Sequence, residues 1–214
     1  MKKIYWGLLL LCWTFPLQAQ SLRFLDPSLA RQFEDPEGQY TQARSPATFA
    51  APEDPDGRMS LRFTNCNGYL DASIGGYQPV GGADYQAAFE YRNCALLWLL
   101  VRSRPSAPAP APAIEELDLS AFEPFKSQGA INLKELAAIT KGLFQPKPNG
   151  LTLSANGLQL GAFWVLEGDL DGEGGTDHLL ELQLGASRQW ILALSRPGGV
   201  SVVSLDELIR HSRR

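Results

Sequence analysis

Residues 149–203 alternate short apolar runs with tight-turn residues, and they constrain the fold more than any other part of the chain. Leu151-Thr152-Leu153 and Leu158-Gln159-Leu160 flank Asn156-Gly157, a pair suited to a hairpin because both residues tolerate positive φ. Phe163 to Leu166 continues the second strand, with a bend expected at Gly161. His178 to Leu184 alternates from Leu180 onward, and Gln189 to Leu194 and Val200 to Val203 flank a turn at Arg196-Pro197-Gly198-Gly199. Consecutive strands joined by short turns predict an antiparallel β-meander.

Helices are expected around it. Ser204 followed by Glu207 is a capping box, and Leu205, Leu208 and Ile209 give the helix after it an apolar side. Arg210, His211, Arg213 and Arg214 suit its C-terminal end, where cations complement the helix dipole. Asn132 and Glu135 form a second box before a face of Leu133, Leu136, Ala137, Thr140, Leu143 and Phe144, which Pro146 and Pro148 stop. The expected class is α+β, a small disulfide-linked N-terminal module plus a C-terminal antiparallel meander with flanking helices.

The division along the chain follows composition. Residues 20–58 carry Pro27, Pro36, Pro46, Pro52 and Pro55 and predict an irregular arm, with one helical turn allowed at Asp26 to Phe33. Residues 59–103 predict a strand at Met59 to Phe63, a loop-rich middle, and a helix starting at Asp84 that carries Cys94. Residues 104–113 alternate Pro and Ala, which favours an extended spacer over a docking peptide for a Pro-binding domain. Residues 114–214 hold the second helix and the sheet.

The first nineteen residues resemble an export leader. Lys2 and Lys3 precede an apolar run from Ile4 to Phe15, then Pro16 and a small residue, Ala19. The run is about twelve residues, and roughly twenty are needed to span a bilayer. Its removal takes Cys12 and two lysines, moving the net charge from −4 to −6, and leaves Cys66 and Cys94 as an even pair. In an oxidising compartment that pair predicts a disulfide; a redox pair would want Cys-x-x-Cys or a nearby histidine. The expected location is periplasmic or secreted, with no transmembrane segment after cleavage, and the acidic balance argues against nucleic acid as a partner.

The most informative segment runs from Glu167 to Asp177, Glu-Gly-Asp-Leu-Asp-Gly-Glu-Gly-Gly-Thr-Asp. Acidic side chains recur at alternate positions, Gly172 and Gly174 let the backbone curl, and calcium takes six to eight hard oxygen ligands. Residues 167–184 resemble the calcium loop of FG-GAP and VCBS repeats, roughly Asp-x-Asp-Gly-Asp-Gly-x-x-Asp followed by a strand. The resemblance implies calcium held by the side chains of Asp169, Asp171, Glu173 and Asp177. Gly175 would add its carbonyl. Glu173 stands where the family usually has Asp or Asn. Leu180 takes the twelfth position, so the bidentate Glu of an EF-hand is absent. The competing expectation is an acidic hairpin turn without metal.

Catalytic constellations are scarce. His178 is expected on the surface at a strand start, with metal ligation as its alternative, and His211 lies in the tail. No His-Glu-x-x-His, Gly-x-Ser-x-Gly, P-loop or dinucleotide fingerprint is present. Trp98, Trp164 and Trp190 predict core, and Tyr69, Tyr77 and Tyr85 predict packing against the first strand. The expected function is a non-enzymatic, calcium-stabilised binding or assembly protein of the bacterial cell envelope with an envelope-protein partner; the alternative is a periplasmic hydrolase acting on cell-wall or glycan material through carboxylates.

Overall fold

The computed structural model describes residues 22–54, 60–80, 84–155 and 157–213. The leader-like segment, Cys12, Met59 and Asn156 lie outside them. In chain order the elements are β1 (Arg23–Phe24), α1 (Pro27–Gln32), α2 (Pro36–Thr41), β2 (Ala47–Ala50), β3 (Ser60–Phe63), α3 (Cys66–Ile74), β4 (Gln78–Pro79) and α4 (Asp84–Arg102). A 3-10 turn at Ile114–Glu116 leads to α5 (Phe125–Gln128), α6 (Leu133–Thr140), β5 (Leu143–Lys147), β6 (Gly150–Ala155) and β7 (Leu158–Gly168). β8 (Asp177–Leu184), β9 (Ser187–Arg196), β10 (Gly199–Ser204) and α7 (Leu205–Ser212) complete the chain.

The fold is α+β. β5 to β10 form an antiparallel meander in sequence order, with β1 paired to β7, and β3-β2-β4 make a second small sheet. Both faces of the central strands β7 to β9 are covered. Leu179, Leu192 and Leu194 face a core shared with α3, α4 and α7; Leu180, Leu182 and Ile191 face one shared with the 3-10 turn, α5 and α6. Burial on both faces explains why β8 and β9 read as near-continuous apolar runs. The bend expected at Gly161 falls later, as a register shift between Trp164 and Leu166, where the Val165 carbonyl accepts from Leu25 N–H at 2.9 Å.

Cys66 and Cys94 form a disulfide that ties the start of α3 to the middle of α4. Asn132 accepts from Glu135 N–H at 3.0 Å and Ser204 from Glu207 N–H at 3.0 Å, so both expected caps form. Glu135 reaches back to Ile131 N–H, at 2.8 Å.

Four expectations are corrected. Residues 22–54 hold two helices and two strands, because Pro27 and Pro36 each follow an aspartate N-cap and occupy the first helical turn, where proline is tolerated. The loop-rich middle contains α3, capped by Asn65 and buried through Tyr69, Leu70 and Ala72. Leu143 and Phe144 leave the α6 face for edge strand β5, where both are exposed, because Lys141 ends the helix in a left-handed conformation. Among the expected packing aromatics, Trp190 is only half-buried and Tyr85 is exposed.

No helix among the described residues is long and apolar enough to cross a membrane.

Candidate metal centre

The acidic loop joins β7 to β8 and is anchored at both ends. Leu170 inserts into the core on the α4 side. Arg104 and Asp169 exchange backbone hydrogen bonds of 2.8 and 2.9 Å, and Thr176 Oγ1 donates to the Ala107 carbonyl at 2.6 Å. The Pro-Ala segment therefore crosses the loop as a strap. Gly172, Gly174 and Gly175 have φ of 79°, 86° and 101°, a region that L side chains avoid, so the curl depends on glycine.

This curl gathers three of the expected ligands. Asp169, Asp171 and Asp177 each place a carboxylate oxygen within 4.8 Å of the other two. Calcium–oxygen distances of about 2.3–2.6 Å put opposite ligands up to about 5 Å apart, so one ion can reach all three. The donor set is oxygen only, which suits a hard cation. Glu173 lies outside this cluster: its side chain is largely exposed, with Arg196 Nη1 at 3.7 Å. Gly175 lies against Ser195, and a side chain placed there would touch the Ser195 Cβ.

Backbone amides already orient the carboxylates. Asp169 Oδ1 accepts from Gly172 and Gly174 N–H at 2.9 and 3.2 Å. Asp177, with no exposed surface, accepts from Leu170 N–H through Oδ2 at 2.9 Å and from Ser195 N–H through Oδ1 at 2.8 Å. Asp171 Oδ1 accepts from Glu173 N–H at 3.0 Å, and its Oδ2 is ion-paired with Arg196 Nη2. Burial pushes the Asp177 carboxyl above its ordinary range; the Ser195 and Leu170 amides and Arg196 oppose that push, and Asp171 adds to it. Arg196 is held above the usual guanidinium value, chiefly by its hydrogen bond to Asp171. Three acids and one arginine leave the cluster negative, which favours a divalent cation.

In the sequence Arg196 stands only as the first residue of the Arg196-Pro197-Gly198-Gly199 turn. Its proximity to the loop follows from β9 running back along β8, a long-range pairing that no local pattern announces.

His178 is buried rather than exposed, because Trp164 and Glu167 of the neighbouring strand β7 pack against its ring. It makes an edge-on contact with Trp164, and its Nε2 lies 3.8 Å from Glu167 Oε2. Burial holds the imidazole below its usual range despite Glu167. Arg23, delivered by β1, bonds Glu167 at 2.6 Å. His178 is not part of the three-carboxylate cluster.

No family model, curated protein or solved structure matches the chain.

Proposed function

We propose that this is an exported protein of the bacterial cell envelope, non-enzymatic, that binds or assembles with a partner and whose β7–β8 loop is stabilised by calcium. The buried cluster of Asp169, Asp171 and Asp177 carries the metal half of this reading. An oxygen-only donor set, amide-oriented carboxylates and an FG-GAP-like spacing favour calcium over softer metals. Export is supported by the leader-like first nineteen residues and by the Cys66–Cys94 disulfide. The hydrolase alternative has less support. Glu181 is committed to Arg188 at 2.9 Å and Asp26 caps α1, so both of these cleft-lining acids have structural partners.

Thermal melts of the oxidised protein in calcium, in magnesium and in chelator test the metal half. At free calcium 100 times its dissociation constant, one site adds about 2.7 kcal/mol, which raises Tm by about 5–11 °C in a chain of this size. Asp171→Ala should abolish the rise. No shift at millimolar calcium overturns the metal reading. Fractionation of the native host tests export: recovery of a leader-bearing form in the cytoplasm overturns it.

A further inference from the structure

β9 is longer than its partner on one side. β10 pairs with it from Arg196 back to Ile191, and the chain then turns at Ser204 into α7. Among the described residues, Ser187 to Trp190 therefore pairs with β8 on one edge and with no strand on the other. Two tight turns fix which backbone groups face which edge. Leu184 and Ser187 flank Gly185-Ala186, and Arg196 and Gly199 flank Pro197-Gly198. Pairs flanking a two-residue turn exchange hydrogen bonds, and facing alternates from there. Odd-numbered β9 residues thus address β8, in keeping with Ser195 N–H donating to Asp177, and even-numbered residues address β10. The last pairing, Ile191 with Ser204, uses the Trp190 carbonyl. Past it, the N–H of Trp190 and both backbone groups of Arg188 turn to an edge that no strand of the described residues covers.

That edge opens on a cleft of about 570 Å³, a size typical of ligand sites. One wall is α4, with Tyr91 and Arg92; the other carries Phe122 and Val202. The charges are unequally committed. Arg188 pairs with Glu181 at 2.9 Å, and Tyr91 donates to Asp206 at 2.7 Å. Arg92 is half-buried and has no ion-pair partner among the described residues, while Glu207 stands exposed at the α7 end.

The opposite edge of the sheet is built differently. β5 reaches its turn at Lys147 and Gly150, so by the same alternation Phe144 and Pro146 face outward. Pro146 supplies no N–H where an added strand would need one, which blunts that edge. The β9 edge has its donors and acceptor intact.

We propose that the β9 slot takes an extended peptide segment of a partner protein by strand addition, continuing the line of β10, with an apolar side chain against Phe122 and Val202 and an acidic one toward Arg92. This rests on the binding half of the reading above and is independent of the metal.

The test uses fluorescein-labelled hexapeptides of alternating valine and glutamate, a valine-lysine counterpart, and two forms N-methylated on one or the other set of alternate amides. Anisotropy is measured in calcium and in chelator. The glutamate peptide should bind saturably below roughly 1 mM. One methylation pattern should weaken it by roughly tenfold or more while the other is tolerated, because only one peptide edge faces β9. Arg92→Glu should reverse the preference between glutamate and lysine, and bound peptide should slow amide exchange at Arg188 and Trp190. Absence of saturable binding, indifference to both methylation patterns, or protection at β5 instead overturns the proposal. Binding that survives chelator while the calcium melts show no shift would sink the metal reading alone.

Discussion

Arg196 makes opposite predictions for the metal-free and calcium-bound protein. Its guanidinium pairs with Asp171, whose side chain is 4% exposed, while the arginine itself is 30% exposed. Arg196→Gln would leave Asp171 beside Asp169 and Asp177 with no ion-paired cation. Removing one partner of a fully buried pair costs about 3–5 kcal/mol, and partial exposure of the arginine lowers that to about 2 kcal/mol. Metal-free Tm should fall by about 4–8 °C. Calcium affinity should move the other way. A unit charge about 6 Å from a divalent ion repels it by roughly 1.5–5 kcal/mol as the effective dielectric runs from 80 to 20. Taking about 2 kcal/mol after salt screening, the variant should bind calcium roughly 30-fold more tightly. Arg196→Lys, which keeps the charge and loses the fork, should lie between. Paired melts in chelator and calcium titration calorimetry read both quantities. Lower stability with unchanged or weaker calcium binding would refute the competition and leave Arg196 a structural partner only. An unchanged metal-free Tm would show that the ion pair does not hold the loop.

Other substitutions probe the scaffold. Cys66→Ser with Cys94→Ser, positions 28 apart, should lower unfolding free energy by about 3–4 kcal/mol in urea, and reductant should then have no further effect. Leu170→Ala should cost about 3 kcal/mol by leaving a cavity under the loop, and calorimetry should show weaker calcium binding because the loop loses its anchor. Tyr91 carries a phenol raised well above its ordinary value by burial first and by Asp206 second. A raised folded value means its contribution is fully present below about pH 10 and is lost as pH climbs from there toward the folded value. Tyr91→Phe should therefore be less stable near neutrality by about 1 kcal/mol and show a shallower decline above about pH 10 in denaturant titrations. An equally steep decline in the variant would assign the alkaline loss to other groups.

What the sequence exposed and what it hid differ by the range of the interaction. Asn132 with Glu135, Ser204 with Glu207, and Arg196-Pro197-Gly198-Gly199 are signals contained within four residues, and each forms as the pattern requires. The clustering of three aspartates was legible because alternate acids on a glycine-rich loop have few ways to curl. The prolines of the N-terminal stretch were misleading for a local reason too. Asp26-Pro27 and Asp35-Pro36 are helix starts, since an aspartate caps and proline pre-sets the first turn, and counting prolines as breakers discards that order. His178 needed tertiary information. Whether a residue near a strand's start meets solvent depends on what crosses over it, and β1 and the strap come from positions far away in sequence.

The strap changes what a cation at this loop would do. A Pro-Ala spacer between two units would leave their packing to chance, yet this one bonds through Arg104 to Asp169 and through Ala107 to Thr176, near the two ends of the acidic loop. It leaves α4, which packs on one face of the sheet, and arrives at Ile114, which packs on the other. Extended proline-rich chain makes no internal hydrogen bonds, so its course must be set by what it touches. Among the described residues those bonds run to the loop and, through the carbonyl of Ala109, to His178. Disordering the loop would free the strap and loosen the link between the two helical layers. Fixing it, by Arg196 or by calcium, would hold the layers in place through the strap that joins them. Stabilisation at this site should therefore register in the global unfolding transition as well as in local protection of the turn.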